Sequence, residues 1–227
     1  MPDQPDALML FAAGFGTRMG ALTQTRPKPM IEVAGRPLID HALDLARAGG
    51  ARRLVANVHY LADQVVAHLA GQDVAISDER DEILETGGGL RKALPLLGDG
   101  PVMTLNTDAV WSGENPVARL REAWRPDEMS ALLMLVRPEN ARGHAGAGDF
   151  TMDETGRLTR GPGFVYTGAQ MLNPAGIGSI SERSFSLNIL WDEMIAAGRV
   201  FGLVHDGGWC DVGRPESITL AEAMLDE

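Results

Sequence analysis

The chain has 227 residues, 44% hydrophobic and 22% charged, the proportions of a folded globular protein rather than a disordered one. Asp and Glu number 31 against 20 Lys and Arg, a net charge of −11 that opposes binding to nucleic acid or an anionic membrane over most of the surface. No apolar run approaches the ~20 residues of a bilayer span, and Cys210 stands alone, which excludes an intrachain disulfide and a Cys-based metal cluster.

The acidic, Pro-containing residues 1–6 lack the basic start of a signal peptide, so a cytoplasmic protein is expected. Residues 7–11 are a short apolar run ended by a Gly-rich turn, read as a buried parallel strand. Residues 37–48 predict a helix, with Pro37 at its first position and Gly49-Gly50 as its stop. Strands follow at 54–58, 74–76, 102–105 and 131–136, and helices at 61–69, 90–97 (after a glycine triplet) and 116–124. Strands alternating with helices imply a parallel sheet covered on both faces, a Rossmann-like three-layer α/β/α sandwich, for residues 1–136. The second half changes character. Residues 149–152 and 157–159 predict a hairpin across the turn 153–156, 164–172 a long strand, 187–197 a helix, 200–204 a strand and 216–225 a closing helix. With no repeat or linker visible, residues 1–227 are expected to form a single domain on a mostly parallel mixed sheet.

The first strand leads straight into Ala12-Ala13-Gly14-Phe15-Gly16-Thr17-Arg18-Met19. In an open α/β sheet ligands bind beyond the carboxyl ends of the strands, and two glycines there let successive N–H groups approach a phosphate chain. The segment is not a Walker A loop, for no Gly-Lys-Ser/Thr exists in the chain; nor is it a dinucleotide fingerprint, for Met19 stands where the third Gly belongs. Taken alone, Gly-x-Gly can be a mere tight turn. Arg26-Pro27-Lys28-Pro29 adds a lysine between two prolines that keep the backbone extended. Arg18, Arg26 and Lys28 together make a local positive pocket, suited to a polyphosphate, in an otherwise acidic chain.

Asn106-Thr107-Asp108 follows the strand at 102–105, and Trp209-Cys210-Asp211-Val212-Gly213 follows the strand at 200–204. Either Asp alone could cap a turn or helix. Converging, the two would offer hard oxygen ligands to Mg²⁺, which takes one or two carboxylates plus substrate phosphates. Cys210 reads as a small buried hydrophobe. The histidines show no metal-ligand spacing; His41 and His68 read as surface helix residues and His205 as a neighbour of the site.

Together these motifs, with residues 33–39, Glu85-Thr86-Gly87-Gly88-Gly89 and their common order and spacing along nearly the whole chain, resemble the sugar-1-phosphate nucleotidyltransferases, or nucleoside-diphosphate-sugar pyrophosphorylases. Within that family residues 84–89 and 92–98, Gly148-Asp149-Phe150 and the compact length are most similar to the short bacterial N-acetylmuramate-1-phosphate uridylyltransferases of cell-wall recycling. The resemblance implies the nucleotide-diphospho-sugar transferase fold, with a nucleotide-binding half at 1–136 and a sugar-binding half at 137–227. It implies transfer of a nucleotidyl group from a nucleoside triphosphate, UTP by likeness, to a sugar-1-phosphate, with release of pyrophosphate and Mg²⁺ as cofactor. Gly14, Gly16 and Thr17 would wrap the triphosphate, Arg18 would neutralise the leaving pyrophosphate, and Lys28 would stabilise the α-phosphate region. Asp108 and Asp211 would hold Mg²⁺, with Asp108 also counted among the catalytic groups. Ala12 and Ala13 would line the base, Gly87 and Gly88 would meet its edge, and Glu85 and Thr86 would border the base or sugar. Asn106, Gly148, Thr167 and Gly168 complete the expected binding set, the last two meeting the sugar.

One departure is Thr107, where the family commonly has Gly; its Cβ would narrow the pocket by a methyl-sized group. The hexapeptide-repeat extension of longer members is absent from this sequence. The alternatives are a guanylyl- or cytidylyltransferase acting on mannose-1-phosphate or phosphocholine, and a nucleotide-sugar sensor that has lost turnover. A monomer or homodimer is expected, with no nucleic-acid or membrane partner.

Overall fold

In chain order the first half folds as β1 (Ala7–Phe11), a small hairpin of β2 (Glu32–Val33) and β3 (Arg36–Pro37), α1 (Leu38–Ala48), β4 (Arg53–Val58), α2 (Ala62–Leu69) and β5 (Val74–Asp78). Then come α3 (Glu85–Leu97), β6 (Val102–Asn106), β7 (Ala109–Trp111), α4 (Pro116–Ala123) and β8 (Ala131–Val136). The second half adds β9 (Ala141–Arg142), the hairpin β10 (Phe150–Met152) and β11 (Leu158–Arg160), β12 (Val165–Leu172), α5 (Asn188–Ala196), β13 (Val200–Val204), β14 (Trp209–Asp211) and α6 (Glu216–Leu225). The structure, a computed structural model, describes residues 5–227; of the N-terminal segment read above, residues 1–4 lie outside the described residues.

Seven strands form one sheet in the order β13-β8-β12-β6-β1-β4-β5. All run parallel except β12, which is antiparallel to both of its neighbours. The mostly parallel mixed sheet is therefore as expected, and it unites strands from both halves of the chain. Alternation along β1 shows how the layers arise: Leu8 and Leu10 pack into the core shared with α1, α2 and α4, whereas Ala7 and Met9 face the core of α3 and α5. Strand β8 divides in the same way, with Leu132, Met134 and Val136 on one side and Ala131, Leu133 and Leu135 on the other. A strand buried on both faces needs apolar residues at every position, which is why these segments read as unbroken apolar runs.

The chain passes from β1 outward through β4 and β5, then returns to place β6 on the other side of β1. The carboxyl ends of β1 and β6 therefore flank the switch in strand order, where open sheets of this kind bind ligands. A second, three-stranded sheet, β7-β14-β9, lies under α6, whose Ala221 and Met224 pack with Val110, Cys210 and Val212. Its strands of two or three residues are too short to leave a periodic signal, and the sequence reading assigned none of them. Among the described residues no helix is long and apolar enough to cross a membrane.

One boundary differs with consequence for the site. Helix α3 begins at Glu85, so Gly87-Gly88-Gly89 lies inside its first turns, not ahead of a helix starting at residue 90. Glycine costs roughly 1 kcal/mol per helical position relative to Ala. Here close packing requires it, because a Cβ would strike the Phe185 ring at Gly87, the Arg183 carbonyl at Gly88 and the Glu79 carboxylate at Gly89.

Candidate active site

The loop after β1 is held from beneath by a buried polar relay. The Ala12 N–H donates to Asn57 Oδ1 at 2.8 Å, Asn57 Nδ2 donates to Glu79 Oε1 at 2.8 Å, and Glu79 Oε2 accepts the Leu84 N–H at 3.3 Å. Asn57 is the penultimate residue of β4, opposite Phe11 of β1, and Glu79 follows β5, so the relay joins the start of the glycine loop to the entry of α3. Gly16 then takes a left-handed conformation (φ 64°), and a Cβ there would come within 2.9 Å of Lys28 Cβ. Conformation and space both call for glycine at this turn. Thr17 opens the following 3₁₀ turn and is exposed, while Met19 anchors the turn in the core.

Lys28 does not sit in a wholly extended segment: Pro27 is extended, but residues Lys28–Met30 form a single 3₁₀ turn. That turn buries the lysine and directs Nζ to Asp108 Oδ2 at 2.7 Å. Arg18 lies 4.0 Å from Asp211 Oδ2. The third expected cation, Arg26, turns to the exposed Glu32 (3.4 Å) and leaves the cluster, a correction to the three-cation pocket.

The two aspartates meet because β7 and β14 pair. Asp211, the last residue of β14, lies opposite Ala109, and the Val212 N–H donates to the Asp108 carbonyl at 2.8 Å. Asp108 occupies the turn between β6 and β7, so the main sheet supplies one carboxylate and the small sheet the other. Burial, followed by the Asp108 charge, raises the Asp211 carboxyl above the ordinary carboxylate range, while Lys28 and Arg18 act in the opposite direction. A largely buried carboxylate whose proton affinity is raised by burial and by a second carboxylate beside it, the two paired with Arg18 and Lys28, suits a hard divalent ion. Among the described residues no group of three or more His, Cys, Asp or Glu gathers around a point. Gly213 escaped the sequence reading of the site: a Cβ there would lie 2.9 Å from Asp211 Oδ2 and 3.1 Å from Arg18 Cζ.

In front of this charge cluster lies a cleft of two adjoining lobes. The first, of about 200 Å³, is lined by Ala12, Ala13, Gly14, Lys28, Glu85, Thr86, Asn106 and Asp108 of the expected set. Asn57, Glu79 and Ile83 line it too, and were missed. A polar Asn in the otherwise apolar run Leu54–Val58 was the available signal for Asn57. The second lobe, about 310 Å³, shares Phe11, Thr86 and Asn106 with the first and adds Asp149, Phe150, Arg160, Tyr166, Gln170, Asn188 and Trp191, among others. The Thr86 hydroxyl accepts the Leu187 N–H at 2.9 Å, tying the start of α3 to the segment that enters α5.

Other expected residues lie around the cleft and not on its walls. The Gly87 and Gly88 N–H groups both donate to the Phe185 carbonyl, at 2.8 and 3.1 Å, so these donors are turned to protein. The Thr167 hydroxyl donates to the Met134 carbonyl at 2.7 Å, inside the sheet. A register shift between Tyr166 and Gln170 instead presents those two β12 residues to the second lobe. Gly168 sits in that irregularity with φ 84°, where a Cβ would press within 2.6 Å of the Asn106 side chain, and Gly148 (φ 94°) packs on the Gly163 backbone. Thr107 lines the first lobe, its hydroxyl donating to the Phe11 carbonyl at 2.8 Å and thereby joining β6 to β1. His205 is buried against Trp111 and lines neither lobe, contrary to expectation. Cys210 is fully buried and its thiol is pushed up to about 11, burial being the main cause, so it is inert as a nucleophile.

Glu79 is 1% exposed, and burial raises its carboxyl above the ordinary value despite the bonds from Asn57 and Leu84. Its folded-state affinity for the proton thus exceeds the unfolded one, so this group's contribution to stability falls as pH rises from about 4.3 through the raised value. Glu79→Ala removes that pH dependence. It also strands the Asn57 and Leu84 donors, and unfolding at neutral pH should show a loss of about 2–6 kcal/mol at about 1–3 kcal/mol per stranded group. Unchanged stability would show that the relay does not hold the loop.

Residues 8–150 match the MobA-like NTP transferase domain. The chain is 40% identical to the N-acetylmuramate alpha-1-phosphate uridylyltransferase of Caulobacter vibrioides over 100% of both chains. It is 35% identical to the enzyme of that name from Neisseria meningitidis serogroup B, over 95% of this chain and 96% of the other. Among solved structures, the inositol-1-phosphate CTP transferase from T. maritima superposes with a TM-score of 0.78 at 17% identity, covering 99% of this chain and 97% of that one, a likeness of fold.

Proposed function

Because the chain belongs to the nucleotidyltransferases with a MobA-like NTP transferase domain, we propose that it transfers the uridylyl group of UTP to N-acetylmuramate α-1-phosphate, releasing pyrophosphate. The observation that carries the reading is the Lys28–Asp108 pair beside Asp211, with both members of the pair lining the first lobe together with the start of the glycine loop. The first lobe takes the nucleotide, with Ala12 and Ala13 under the base and Glu85 and Thr86 at its far side. The second lobe takes the sugar. Thr86 and Asn106 stand in both, which sets the two substrates against one another in the order that in-line transfer needs.

A phosphate oxygen of the sugar-1-phosphate attacks the α-phosphorus of UTP. The new P–O bond forms as the α–β bridging bond breaks, and pyrophosphate leaves on the opposite side. Lys28, held by Asp108, faces the α-phosphate with a fixed positive charge. Arg18, exposed at the loop, meets the leaving pyrophosphate, and the Gly14–Thr17 backbone cradles the chain of phosphates. Mg²⁺ held by Asp108 and Asp211 would supply Lewis-acid screening of the phosphate charge. No covalent enzyme intermediate is needed, since positioning and electrostatics lower the barrier. The reaction is assigned to the cytoplasm, where nucleoside triphosphates are held, and to the reuse of cell-wall sugars.

The test mixes the full chain with MgCl₂, each of UTP, GTP and CTP, and N-acetylmuramate α-1-phosphate or mannose-1-phosphate, and measures pyrophosphate. UTP with N-acetylmuramate α-1-phosphate should be fastest. A faster reaction of GTP with mannose-1-phosphate would replace the substrate pair, and silence in every mixture would overturn the catalytic reading.

A further inference from the structure

The second lobe holds a positive charge that the phosphoryl chemistry leaves unused. Arg160, at the end of β11, is the cation among its lining residues. Its guanidinium lies 4.9 Å from the centre of the Phe150 ring and 5.5 Å from that of Trp191, a contact that fixes its plane. Nε donates to Asp192 Oδ1 at 3.0 Å and Nη2 to Asn188 Oδ1 at 2.8 Å. Nη2 also lies 2.9 Å from Asp192 Oδ1, so Nε and Nη2 are both engaged. Nη1 has no hydrogen-bond partner among the described residues, and the side chain is 38% exposed, so a ligand can reach it.

Two carboxylates stand nearby, Asp192 and Asp149. Asp192 is 63% exposed, outside the residues that line the lobe, and pairs with Nε and Nη2, leaving Nη1. Asp149 does line the lobe, but its Oδ2 accepts the Tyr166 N–H at 2.8 Å. The free Nη1 of a guanidinium oriented by aromatic rings offers a charged donor to a carboxylate oxygen, a short and strong hydrogen bond.

From this arrangement we infer that Arg160 is a specificity-determining residue that pairs with a carboxylate on the sugar and so separates acidic sugar-1-phosphates from neutral ones. The inference rests on the function proposed above. N-acetylmuramate carries a lactyl ether ending in a carboxylate, which N-acetylglucosamine lacks on the same acetamido ring. Arg160 is thus a selector of substrate and stands apart from the phosphoryl chemistry.

The experiment measures kcat and KM for the full chain and the variants Arg160→Met, Arg160→Lys and Asp192→Asn, with UTP and MgCl₂. The two sugars compared are N-acetylmuramate α-1-phosphate and N-acetylglucosamine α-1-phosphate. Arg160→Met should lower kcat/KM for the acidic sugar at least about tenfold, through KM, and change the neutral sugar less than about twofold. Arg160→Lys should restore part of the loss, since it keeps the charge without the fork. Asp192→Asn should lower KM for the acidic sugar alone, a gain that misfolding cannot produce. Equal losses on both sugars in Arg160→Met, or no gain in Asp192→Asn, would overturn the inference while leaving the transferase reading intact. Absence of turnover by the unaltered chain with both sugars would remove both.

Discussion

Asp108→Asn and Asp211→Asn should each lower turnover at least about a hundredfold, the order of loss expected when a carboxylate of a catalytic metal site goes. Their stabilities should move in opposite directions. Asp211 lies beside Asp108, largely buried, and its carboxyl is raised by burial and by that neighbouring charge. Its ionised form therefore costs the fold stability, a cost that grows as pH rises above its unfolded value of about 3.9. Asparagine keeps the shape and drops the charge, so Asp211→Asn should melt higher than the unaltered chain at neutral pH while losing activity. Asp108→Asn does the reverse, because it takes the partner from Lys28 Nζ, whose side chain is only 10% exposed. A stranded buried charge-bearing donor costs about 1–3 kcal/mol or more, so this variant should melt lower. Pyrophosphate release and thermal unfolding on the same samples check both. Unaltered rates in either variant would remove that carboxylate from the metal site.

What the sequence disclosed follows from what each element needs. Strands β1 and β8 are buried on both faces, so apolar residues fill every position and their bounds could be read to the residue. The charge cluster was legible because its parts are chemically rare in this chain: Gly-x-Gly after a strand, a lysine between prolines, and Asp at strand ends. The small sheet that brings Asp211 to Asp108 was not legible. Its strands hold together by pairing residues about a hundred positions apart, as Trp111 with Trp209, and no local pattern reports such a contact. The glycine triplet misled for a related reason. By propensity three glycines break a helix, but tertiary packing against Phe185, Arg183 and Glu79 demands them inside one. The sugar lobe was the least visible part. Arg160, Tyr166 and Trp191 come from a hairpin, a strand irregularity and a helix, and each residue taken singly reads as ordinary surface or core.

Lys28→Met should lower kcat by about 10²–10³-fold, the loss expected when one preorganised positive group facing the developing phosphate charge is removed. Methionine preserves the unbranched stem that packs against Gly16, so the loop keeps its support and the change is confined to the charged tip. Folding should barely suffer. Asp108 is 33% exposed, so water can take over the oxygen that Nζ leaves, and an acceptor that stays solvated escapes the cost of a stranded group. Large loss of rate with little loss of stability is thus the expected signature at Lys28, whereas Asp108→Asn loses both. The double variant Lys28→Met/Asp108→Asn separates the two effects: with no buried ammonium left to strand, its melting temperature should return toward that of Lys28→Met, while its turnover stays at the level of the weaker single variant or below. If the double variant melts lower than Asp108→Asn, the Lys28–Asp108 pair is not the contact that couples the glycine loop to the end of β6. If Lys28→Met turns over at the unaltered rate, the lysine only fills space beneath that loop.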